Sequence, residues 1–298
     1  MNLQDKMMFY GVSLGKRYSK KERYLFAKAI EDMCKEMNID FKISEHNTKR
    51  YNVENIIAGD LEKAEYVISA PYDTPTASLI KCSYYPFHTK MTLTNEKNDL
   101  IVRFVVSAIF FILGGLSLYL RTNIWWIVAA VILVLTGIYF LIPQSNRFNF
   151  NRFSASVALA SDVLERCEGK KVAVVFCDKV CKGYDGYRLL KNDVKEHQKL
   201  IVLDALASGE KLVVAHNGYQ ENLAELLSKD LNAINKKYDG DKTENNIFAV
   251  LGNALFMTSG IIYENDLIVE KTRSSKDIDI DLNRLQKISD TVVKYIKG

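Results

Sequence analysis

The sequence lacks the patterns that mark several common functional classes. It has five cysteines but no CxxC pair, so it predicts no structural zinc site. It contains neither a GxGxxG motif nor a P-loop, and no phosphate cradle is therefore predicted. Its 40 basic residues nearly balance its 36 acidic ones, and no motif that reads DNA or RNA is present. We therefore expect no nucleic-acid partner.

The start of the chain also lacks the apolar stretch of a signal peptide, because its first residues are polar and charged. An odd number of cysteines without such a signal is typical of reduced thiols inside a cell. A solvated helix face is the favoured interpretation of the basic cluster near this end, and contact with an anionic membrane surface is the alternative. The cluster consists of Lys16, Arg17, Lys20, Lys21 and Arg23.

Two uncharged apolar runs, residues 104–120 and 124–142, occupy the middle of the chain. At about 1.5 Å per helical residue, each run spans roughly 26–29 Å, close to the hydrocarbon thickness of a bilayer. Trp125, Trp126 and Tyr139 lie where interfacial anchors are expected. The runs predict a two-pass transmembrane hairpin in contact with the lipid bilayer, and buried core helices of a soluble protein are the alternative.

The charges beside these runs predict how the hairpin is oriented. The turn contains Arg121 as its single charge, whereas basic residues flank the outer ends: Lys90, Lys97, Arg103, Arg147 and Arg152. The positive-inside rule then predicts a cell-membrane protein with both termini and its soluble domain in the cytoplasm. Gly114, Gly115 and Ser117 permit close helix contact, either with a membrane partner or between the two hairpin helices.

The regions before and after the hairpin alternate between helical and strand-like segments. Ser19 and Glu22 form a capping box for a helix that reaches about Met37. Strands are predicted near residues 55–58, 66–70, 171–176, 200–203, 211–215 and 254–258, and helices near 154–166, from 219, and at 282–296. This alternation predicts an α/β fold with a mixed, largely parallel sheet flanked by helices. We expect residues 1–99 and 144–298 to form one domain, interrupted by the hairpin within residues 100–143.

Five segments carry the candidate site residues. Residues 70–75 read A-P-Y-D-T-P, residues 151–155 read N-R-F-S-A, and residues 176–186 read F-C-D-K-V-C-K-G-Y-D-G. Asp204 follows a predicted strand, and residues 271–275 read K-T-R-S-S. In this order the segments resemble the motifs of the co-catalytic di-zinc aminopeptidase and glutamate-carboxypeptidase family. Relatives of that family include the non-catalytic nicastrin and transferrin-receptor ectodomains. The resemblance, over residues 50–80 and 146–297, implies the zinc-exopeptidase fold.

The first two segments differ from the family at metal-binding positions. The family motif resembles A-H-Y-D-T-P, so Pro71 replaces a histidine ligand, while Asp73 matches the carboxylate that orients the metal site. Asn151 stands where the family has the aspartate that bridges two metals. Proline has no lone pair to offer, and a neutral amide lacks the charge that holds two Zn²⁺ ions together. The resemblance therefore implies that both ligands are lost.

The remaining segments repeat this pattern. In the family motif F-x-D-x-E-E-x-G-x-x-G, Val180 replaces the general-base glutamate and Cys181 replaces a ligand glutamate. Valine accepts no proton from metal-bound water, which closes the usual hydrolytic route. Asp204 is the one family ligand that is kept, and Lys271 replaces the final histidine. The resemblance implies no zinc or other cofactor and no catalytic residue. One option for the charge of Lys271 is an internal ion pair with Asp73 or Asp204.

These inferences predict a membrane-anchored pseudopeptidase that acts by binding a peptide or a membrane-protein partner. Its predicted pocket consists of the altered family positions and their neighbours: Pro71, Tyr72, Asp73, Asn151, Val180, Cys181, Asp204 and Lys271. Tyr184 and Tyr187 either line this pocket with Tyr72 or pack in the core. Since the hairpin is inserted between Asp73 and Asn151, the cleft is expected to face the bilayer.

Two other functions stay open at this point. One is a peptidase-type hydrolase with an atypical metal site, or with a nucleophile–base pair of Cys181 and His216. Cys177, Cys181, Asp73 and Asp204 are the ligands that such a metal site would use. The other is a membrane protein unrelated to peptidases, in which the order of the motifs is coincidental.

Overall fold

A computed structural model describes residues 1–47, 52–120, 122–168, 170–181, 183–238, 245–264 and 266–298. Arg121, the charge in the predicted hairpin turn, lies outside these residues. The helices are α1 Leu3–Met8, α2 Lys20–Glu36, α3 Thr89–Tyr119, α4 Ile124–Leu141, α5 Ala155–Arg166, α6 Asp185–Asp193, α7 Glu221–Leu231, α8 Ile247–Leu251 and α9 Leu282–Lys297. The strands are β1 Phe41–Asn47, β2 Asn52–Ala58, β3 Tyr66–Pro71, β4 Val172–Cys177, β5 Lys199–Leu203, β6 Lys211–His216, β7 Ile234–Lys237, β8 Leu255–Tyr263 and β9 Asp266–Ile268.

The strands form one mixed sheet in the order β1-β2-β4-β3-β5-β8-β6-β7, with β9 paired to β8. Its central strands β4, β3, β5 and β8 run parallel, whereas β2 and β6 are antiparallel to their neighbours β4 and β8. The predicted α/β fold with a largely parallel central sheet is confirmed. Parallel strands end at the same edge of a sheet. The loops after β3, β4 and β5 therefore meet there, and they carry Asp73, Asp178 and Asp204.

Helices cover both faces of the sheet, because its central strands are apolar on both sides. One core contains residues of α2, α5, α7 and α9, and the other contains residues of α6 and α8. Phe26 of α2 stacks on Tyr72 with 4.8 Å between ring centroids. The predicted capping box is present at the start of α2. The Glu22 N–H donates to Ser19 Oγ over 3.3 Å, and the Ser19 N–H donates to the Glu22 carboxylate over 2.8 Å.

Helix α3 is longer than its apolar run. It begins at Thr89, so the predicted domain boundary at residue 100 falls within it. Its first half is fixed to the soluble domain, because Asp99 accepts a hydrogen bond from Arg273 Nη2 (3.1 Å) as well as one from Arg103 Nε of the same helix (3.0 Å). The sequence prediction missed this half, since it considered uncharged residues alone.

Helices α3 and α4 pack against each other along their apolar parts, and both are long and apolar enough to cross a membrane. Phe110 stacks on Phe140 with 5.6 Å between ring centroids. A Cβ atom added at Gly114 would lie 3.0 Å from Val134 of α4, whereas one added at Gly115 would meet nothing within 4 Å. Gly114 therefore permits the helices of the hairpin to approach closely, and Gly115 faces away from the hairpin contact.

Candidate functional site

Three buried aspartates lie at the carboxyl edge of the sheet, where a ligand site is expected in an α/β fold. Asp73, Asp178 and Asp204 follow three adjacent parallel strands, which is why the fold brings them together. An uncompensated buried carboxylate is costly, so each of them needs hydrogen-bond donors or a cation. The identity of these donors determines what the site can do.

Asp204 binds a buried guanidinium, that of Arg152. Arg152 Nε donates to Asp204 Oδ1 over 3.0 Å, and Arg152 Nη2 lies 3.4 Å from Oδ2. The Tyr84 hydroxyl donates to Oδ2 over 2.8 Å, and Tyr187 approaches the same oxygen at 3.4 Å. Arg152 also lies over the Tyr84 ring, with 3.4 Å between its Cζ atom and the ring centroid. These donors occupy both oxygens of the carboxylate that the family resemblance identifies as a metal ligand.

Arg152 keeps its charge although its side chain is buried. Burial is the largest single influence and acts to lower the pKa of Arg152, but the Asp204 carboxylate, Tyr84 and further neighbours together raise that pKa well above its usual value. Arg152 belongs to a π-helical turn, Phe150–Ser154, that leads into α5. The turn places the guanidinium at the carboxyl edge of the sheet, next to Asn151 in sequence.

Asp73 accepts hydrogen bonds from the backbone of the loop after β4. Its two carboxylate oxygens accept the N–H groups of Val180 and Cys181 over 3.0 and 3.1 Å. Burial raises the pKa of Asp73 to about 6, and the nearby Asp178 carboxylate acts in the same direction. The Cys181 thiol lies 3.7 Å from the Asp73 carbonyl oxygen, and burial raises its pKa well above the usual value. Asp73, Val180 and Cys181 are thus brought together as predicted, but as a structural contact.

Asp178 is held by Arg23, whose Nη1 lies 2.8 and 2.9 Å from the two carboxylate oxygens. The Asp178 N–H donates to Asn55 Oδ1 over 3.0 Å, and Asn55 Nδ2 donates to the Gly186 carbonyl over 2.8 Å. A Cβ atom at Gly186 would lie 2.1 Å from the Asp178 carbonyl oxygen, so this close approach requires glycine. Asp178 and Gly186 match the aspartate and the last glycine of the F-x-D-x-E-E-x-G-x-x-G motif. Their contact therefore preserves the shape of the loop.

Asn151 pairs with a residue that the sequence analysis did not select. The Asn151 N–H donates to Asp277 Oδ1 over 3.0 Å, and Asn151 Oδ1 accepts the Ser208 N–H over 2.9 Å. Asp277 is 2% exposed, and its other oxygen has no hydrogen-bond partner among the described residues. Burial raises the pKa of Asp277 to about 7. Asn151 therefore connects two loops through hydrogen bonds.

The Lys271 ammonium binds Asp279 and not Asp73 or Asp204. Its ammonium lies 2.7 Å from Asp279, and 47% of the Lys271 side chain is exposed. The predicted pairing with Asp73 or Asp204 is therefore wrong. Arg152 takes that role instead, because its turn is buried beside Asp204 whereas Lys271 lies on a surface loop.

The tyrosines of the predicted pocket are packed in the core. Tyr72 is 1% exposed and belongs to the core on one face of the sheet, whereas Tyr184 and Tyr187 belong to the core on the other face. The Tyr72 hydroxyl donates to the Glu54 carbonyl over 3.2 Å. Pro71 is also internal, paired with Cys177 in the sheet. Of the two interpretations of these tyrosines, core packing is the one observed.

The hypothetical nucleophile–base pair does not form. Cys181 follows β4 at the carboxyl edge of the central strands, whereas His216 ends β6, which runs antiparallel to β8. His216 therefore lies at the opposite edge of the sheet. There its Nδ1 accepts the Gly218 N–H over 3.1 Å.

The residues at this edge do not fit a di-zinc centre. Among the described residues, no group of three or more His, Cys, Asp or Glu side chains is arranged to hold a metal ion. Asp73 and Asp204 already accept hydrogen bonds from the protein, and a guanidinium lies against Asp204. A cation at this position would meet a fixed positive charge, which opposes binding of Zn²⁺.

Little space remains beside the ion pair. A cavity lined by residues that include Tyr84, Thr92 and Arg152 has a volume of about 10 Å³. That is at the lower limit for a single water molecule. The aromatic ring of Tyr84 and the guanidinium of Arg152 fill the rest of the site.

Sequence reasoning missed the residues that complete this site: Arg23, Tyr84, Arg152 and Asp277. Arg152 lay within the N-R-F-S-A segment, but we assigned its charge to the membrane flank. A buried arginine has no local signature, because its partner Asp204 is 52 residues away. One signal in the sequence could have identified the pair. Asp204 is a retained carboxylate, and Arg152 is a cation directly beside Asn151, where the family has a metal ligand.

The fold of this chain is similar to that of several solved enzymes. The chain matches the glutaminyl cyclase of Porphyromonas gingivalis with a TM-score of 0.59 at 12% identity, over 99% of this chain and 95% of that one. It matches the glutaminyl cyclase of Bacteroides thetaiotaomicron with a TM-score of 0.57 at 11% identity, over the same shares of the two chains. For the LapA aminopeptidase of Legionella pneumophila the TM-score is 0.53 at 10% identity, over 99% and 69%.

No protein-family model matches the sequence, and a search of curated proteins finds no match. At such low identities, the structural similarity shows the fold alone. The chain has a zinc-exopeptidase-like α/β fold that contains two long apolar helices.

Proposed function

We propose that this protein is a membrane-anchored, catalytically inactive member of the peptidase-like fold that acts by binding a membrane-protein partner. The observation that carries the proposal is the buried Arg152–Asp204 ion pair at the carboxyl edge of the sheet. It replaces a metal site by a charge-neutral and hydrogen-bonded contact. A site saturated in this way has no free group to activate water or to polarise a carbonyl.

The hairpin supports the membrane part of the proposal. A core helix of a soluble protein is mostly buried, whereas 22% of the most apolar window of α3 and 11% of that of α4 are buried in this structure. The uncovered side chains are apolar around both helices, and they include Phe104, Ile112, Trp125, Val131 and Leu135. Lipid tails would cover such a surface, and water would not.

The charges near the hairpin support the predicted cytoplasmic orientation, with one refinement. Arg103 and Arg152 are buried in ion pairs with Asp99 and Asp204, so they are not free to face a membrane surface. Lys90, Lys97 and Arg147 remain exposed beside the apolar segments. The positive bias of the outer flanks therefore persists among the exposed residues.

Space beside the Arg152–Asp204 pair favours a protein partner over a peptide at this position. The cavity there, of about 10 Å³, is far smaller than the pockets of about 300–1,000 Å³ that hold small ligands. A peptide bound against Asp204 would have to displace both Tyr84 and the buried Arg152. The hairpin, in contrast, offers uncovered apolar surface, including the free face at Gly115.

The test combines metal analysis and activity assays of the purified chain in detergent micelles with an alkaline carbonate wash of membranes that contain the chain. We expect zinc and manganese contents well below one ion per chain. We also expect no cleavage of aminoacyl amides and no cyclisation of peptides with an N-terminal glutamine. The Porphyromonas gingivalis glutaminyl cyclase serves as the positive control for cyclisation. The chain should stay in the membrane fraction after an alkaline carbonate wash.

Stoichiometric metal that is lost in Asp204→Ala would contradict the inactive assignment. Because that variant leaves Arg152 without its counterion, Asp204→Asn is measured beside it as the milder change. Turnover that persists in both variants would also contradict the proposal. Release of the chain by the carbonate wash would contradict membrane anchoring.

A further inference from the structure

A second cavity, of about 220 Å³, lies between the base of the hairpin and the soluble domain. Leu100 and Arg103 of α3 form one wall, and Pro143, two residues after α4, closes another. Tyr18, Pro75, Arg273 and the candidate-site residue Cys181 belong to the soluble side. Since Arg103 directly precedes the apolar run of α3, the cavity lies at the level of the bilayer interface in a membrane-inserted chain.

The charges inside this cavity balance. Arg103 Nε and Arg273 Nη2 both bind Asp99 Oδ2, and the Glu96 carboxylate also lines the space. Two guanidinium groups therefore face two carboxylates. The aliphatic and ring surfaces of Leu100, Pro143 and Tyr18 provide the rest of the lining, so the cavity interior suits an uncharged, partly apolar group.

Basic residues lie close in sequence to two residues that line the cavity. Tyr18, which lines the cavity, lies between Lys16 and Lys20 in sequence, and Arg147 follows Pro143 by four residues. Lys16, Lys20, Lys21 and Arg147 are exposed, and none of them forms a salt bridge with any described residue. We call these four side chains the basic rim, because they lie near the lining residues Tyr18 and Pro143 in sequence, although none of them lines the cavity itself.

The fold brings the segment of Lys16, Lys20 and Lys21 close to the segment of Arg147, although the two are far apart in sequence. Asn149 Nδ2 donates to the Gly15 carbonyl over 3.0 Å, and Ser145 Oγ lies 3.3 Å from the Glu22 carboxylate. Glu22 also accepts the N–H groups of Tyr18 and Ser19. Four exposed cations without a salt bridge to a described residue therefore belong to the segments that meet at the base of the hairpin.

From this geometry we propose a binding site for an anionic glycerophospholipid, with its phosphate at the rim and its glycerol and upper acyl segment in the cavity. The proposal rests on the membrane insertion proposed above. The ligand must join an anionic head to an apolar body, because the rim is basic and the interior is neutral. A lipid enters such a site from the bilayer side, where Leu100 and Pro143 face the acyl region.

Native mass spectrometry of the full-length chain in detergent micelles tests the site with defined lipids. Dioleoyl phosphatidylglycerol is compared with dioleoyl phosphatidylcholine at equal concentration. We expect one retained phosphatidylglycerol per chain, with at least tenfold preference over phosphatidylcholine. The triple variant Lys16→Gln/Lys20→Gln/Lys21→Gln should remove that preference, and Leu100→Trp, which fills the cavity, should weaken retention of phosphatidylglycerol.

A matched control removes the same net charge elsewhere. Lys42, Lys171 and Lys191 are exposed, form no salt bridge with a described residue, and lie on β1, before β4 and on α6. Their triple glutamine variant should retain phosphatidylglycerol within twofold of the unmodified chain. Equal loss in both triple variants would show a net-charge effect and overturn the proposed site.

Two further outcomes separate the alternatives. Displacement of the lipid by excess glycerol 3-phosphate would indicate a site for a soluble phosphate ester, and it would overturn the lipid assignment. A chain that withstands the carbonate wash but binds both lipids equally would overturn this inference alone. A chain released by that wash would contradict membrane anchoring, so failure of the two proposals can be told apart.

Discussion

Arg152 is the residue on which the interpretation of this protein depends most. Its guanidinium contacts Asp204, the Tyr84 ring and the Phe153 ring, so its charge and its planar surface are both used. Lysine would provide the charge without the fork of donors or the flat surface. A buried pair of this kind contributes little net stability compared with an apolar pair, but its removal from one side is strongly destabilising.

We therefore predict that Arg152→Met destabilises the folded chain by about 3–5 kcal/mol, because it leaves the Asp204 carboxylate buried without a counterion. Arg152→Lys should be less destabilising, since it keeps a positive charge near the carboxylate. The measurement is the free energy of unfolding, from denaturant titrations in detergent micelles.

The double variant Arg152→Met/Asp204→Asn is the control for this prediction. It removes both charges, so most of the lost stability should return. If Arg152→Met unfolds at the same denaturant concentration as the unmodified chain, the ion pair has no structural role.

Asp277 predicts a dependence of stability on pH. Burial raises its pKa in the folded chain to about 7, whereas an unfolded chain has the usual value of about 3.9. Between these values the folded state binds more protons than the unfolded state, so stability falls as pH rises through this window. The contribution of this group is fully present below about pH 4 and is lost as pH passes about 7.

Asp277→Asn should flatten this dependence, by up to about 1.4 kcal/mol for each pH unit. The unfolding free energy of both proteins is compared between about pH 4 and about pH 7, the limits of the window. Asp73, whose pKa is also raised, is present in both proteins, so their difference isolates Asp277. The exposed Asp5→Asn serves as the control. Parallel pH profiles for Asp277→Asn and the unmodified chain would show that Asp277 ionises normally.

At the scale of elements, α3 belongs to two environments. Its first half carries Asp99 and Arg103, which bind Arg273 and the loop at Ala77, and its second half packs on α4. One unbroken helix of 31 residues therefore connects the soluble domain to the hairpin. The predicted start at residue 104 recognised the apolar part alone, because hydropathy does not register a polar helix that is fixed by distant partners.

The two neighbouring glycines of α3 provide a matched pair of variants. Gly114→Leu should destabilise the hairpin by about 1–3 kcal/mol, because the new side chain would overlap Val134 and the Ala130 backbone. Gly115→Leu should leave hairpin stability nearly unchanged, since no atom lies within 4 Å of its added Cβ. Thermal unfolding in detergent micelles measures both variants. A larger loss for Gly115→Leu would contradict the packing described for the hairpin.

At the scale of the whole molecule, the fold was predictable because its signals are local and repeated. Apolar runs such as residues 66–70 and 171–176 became β3 and β4, and the periodic apolar face of α9 was recognised correctly. Strand β1 was missed, since it lies at a sheet edge and its residues are exposed or half-buried. A strand at the edge of a sheet does not need a run of apolar residues. The prediction relied on such runs, so it did not detect β1.

The candidate site was predictable in position but not in its contacts. Asp73, Val180 and Cys181 meet as expected, because loops after adjacent parallel strands lie side by side. The partner of Asp204 was assigned incorrectly, since Arg152 and Lys271 offer the same charge in the sequence. Arg152 is buried and Lys271 is exposed. The burial of a side chain depends on the whole fold, so the sequence alone does not distinguish the two.

The Arg152–Asp204 pair also determines what the molecule needs from its surroundings. A metal centre is stable only while the ion is supplied, so its fold responds to metal concentration and to chelators. In this chain the cation is covalently part of the polypeptide, and arginine keeps its charge throughout the physiological pH range. The cation at this edge of the sheet therefore cannot dissociate. A chelator cannot remove it, another metal cannot replace it, and its presence does not depend on the metal concentration.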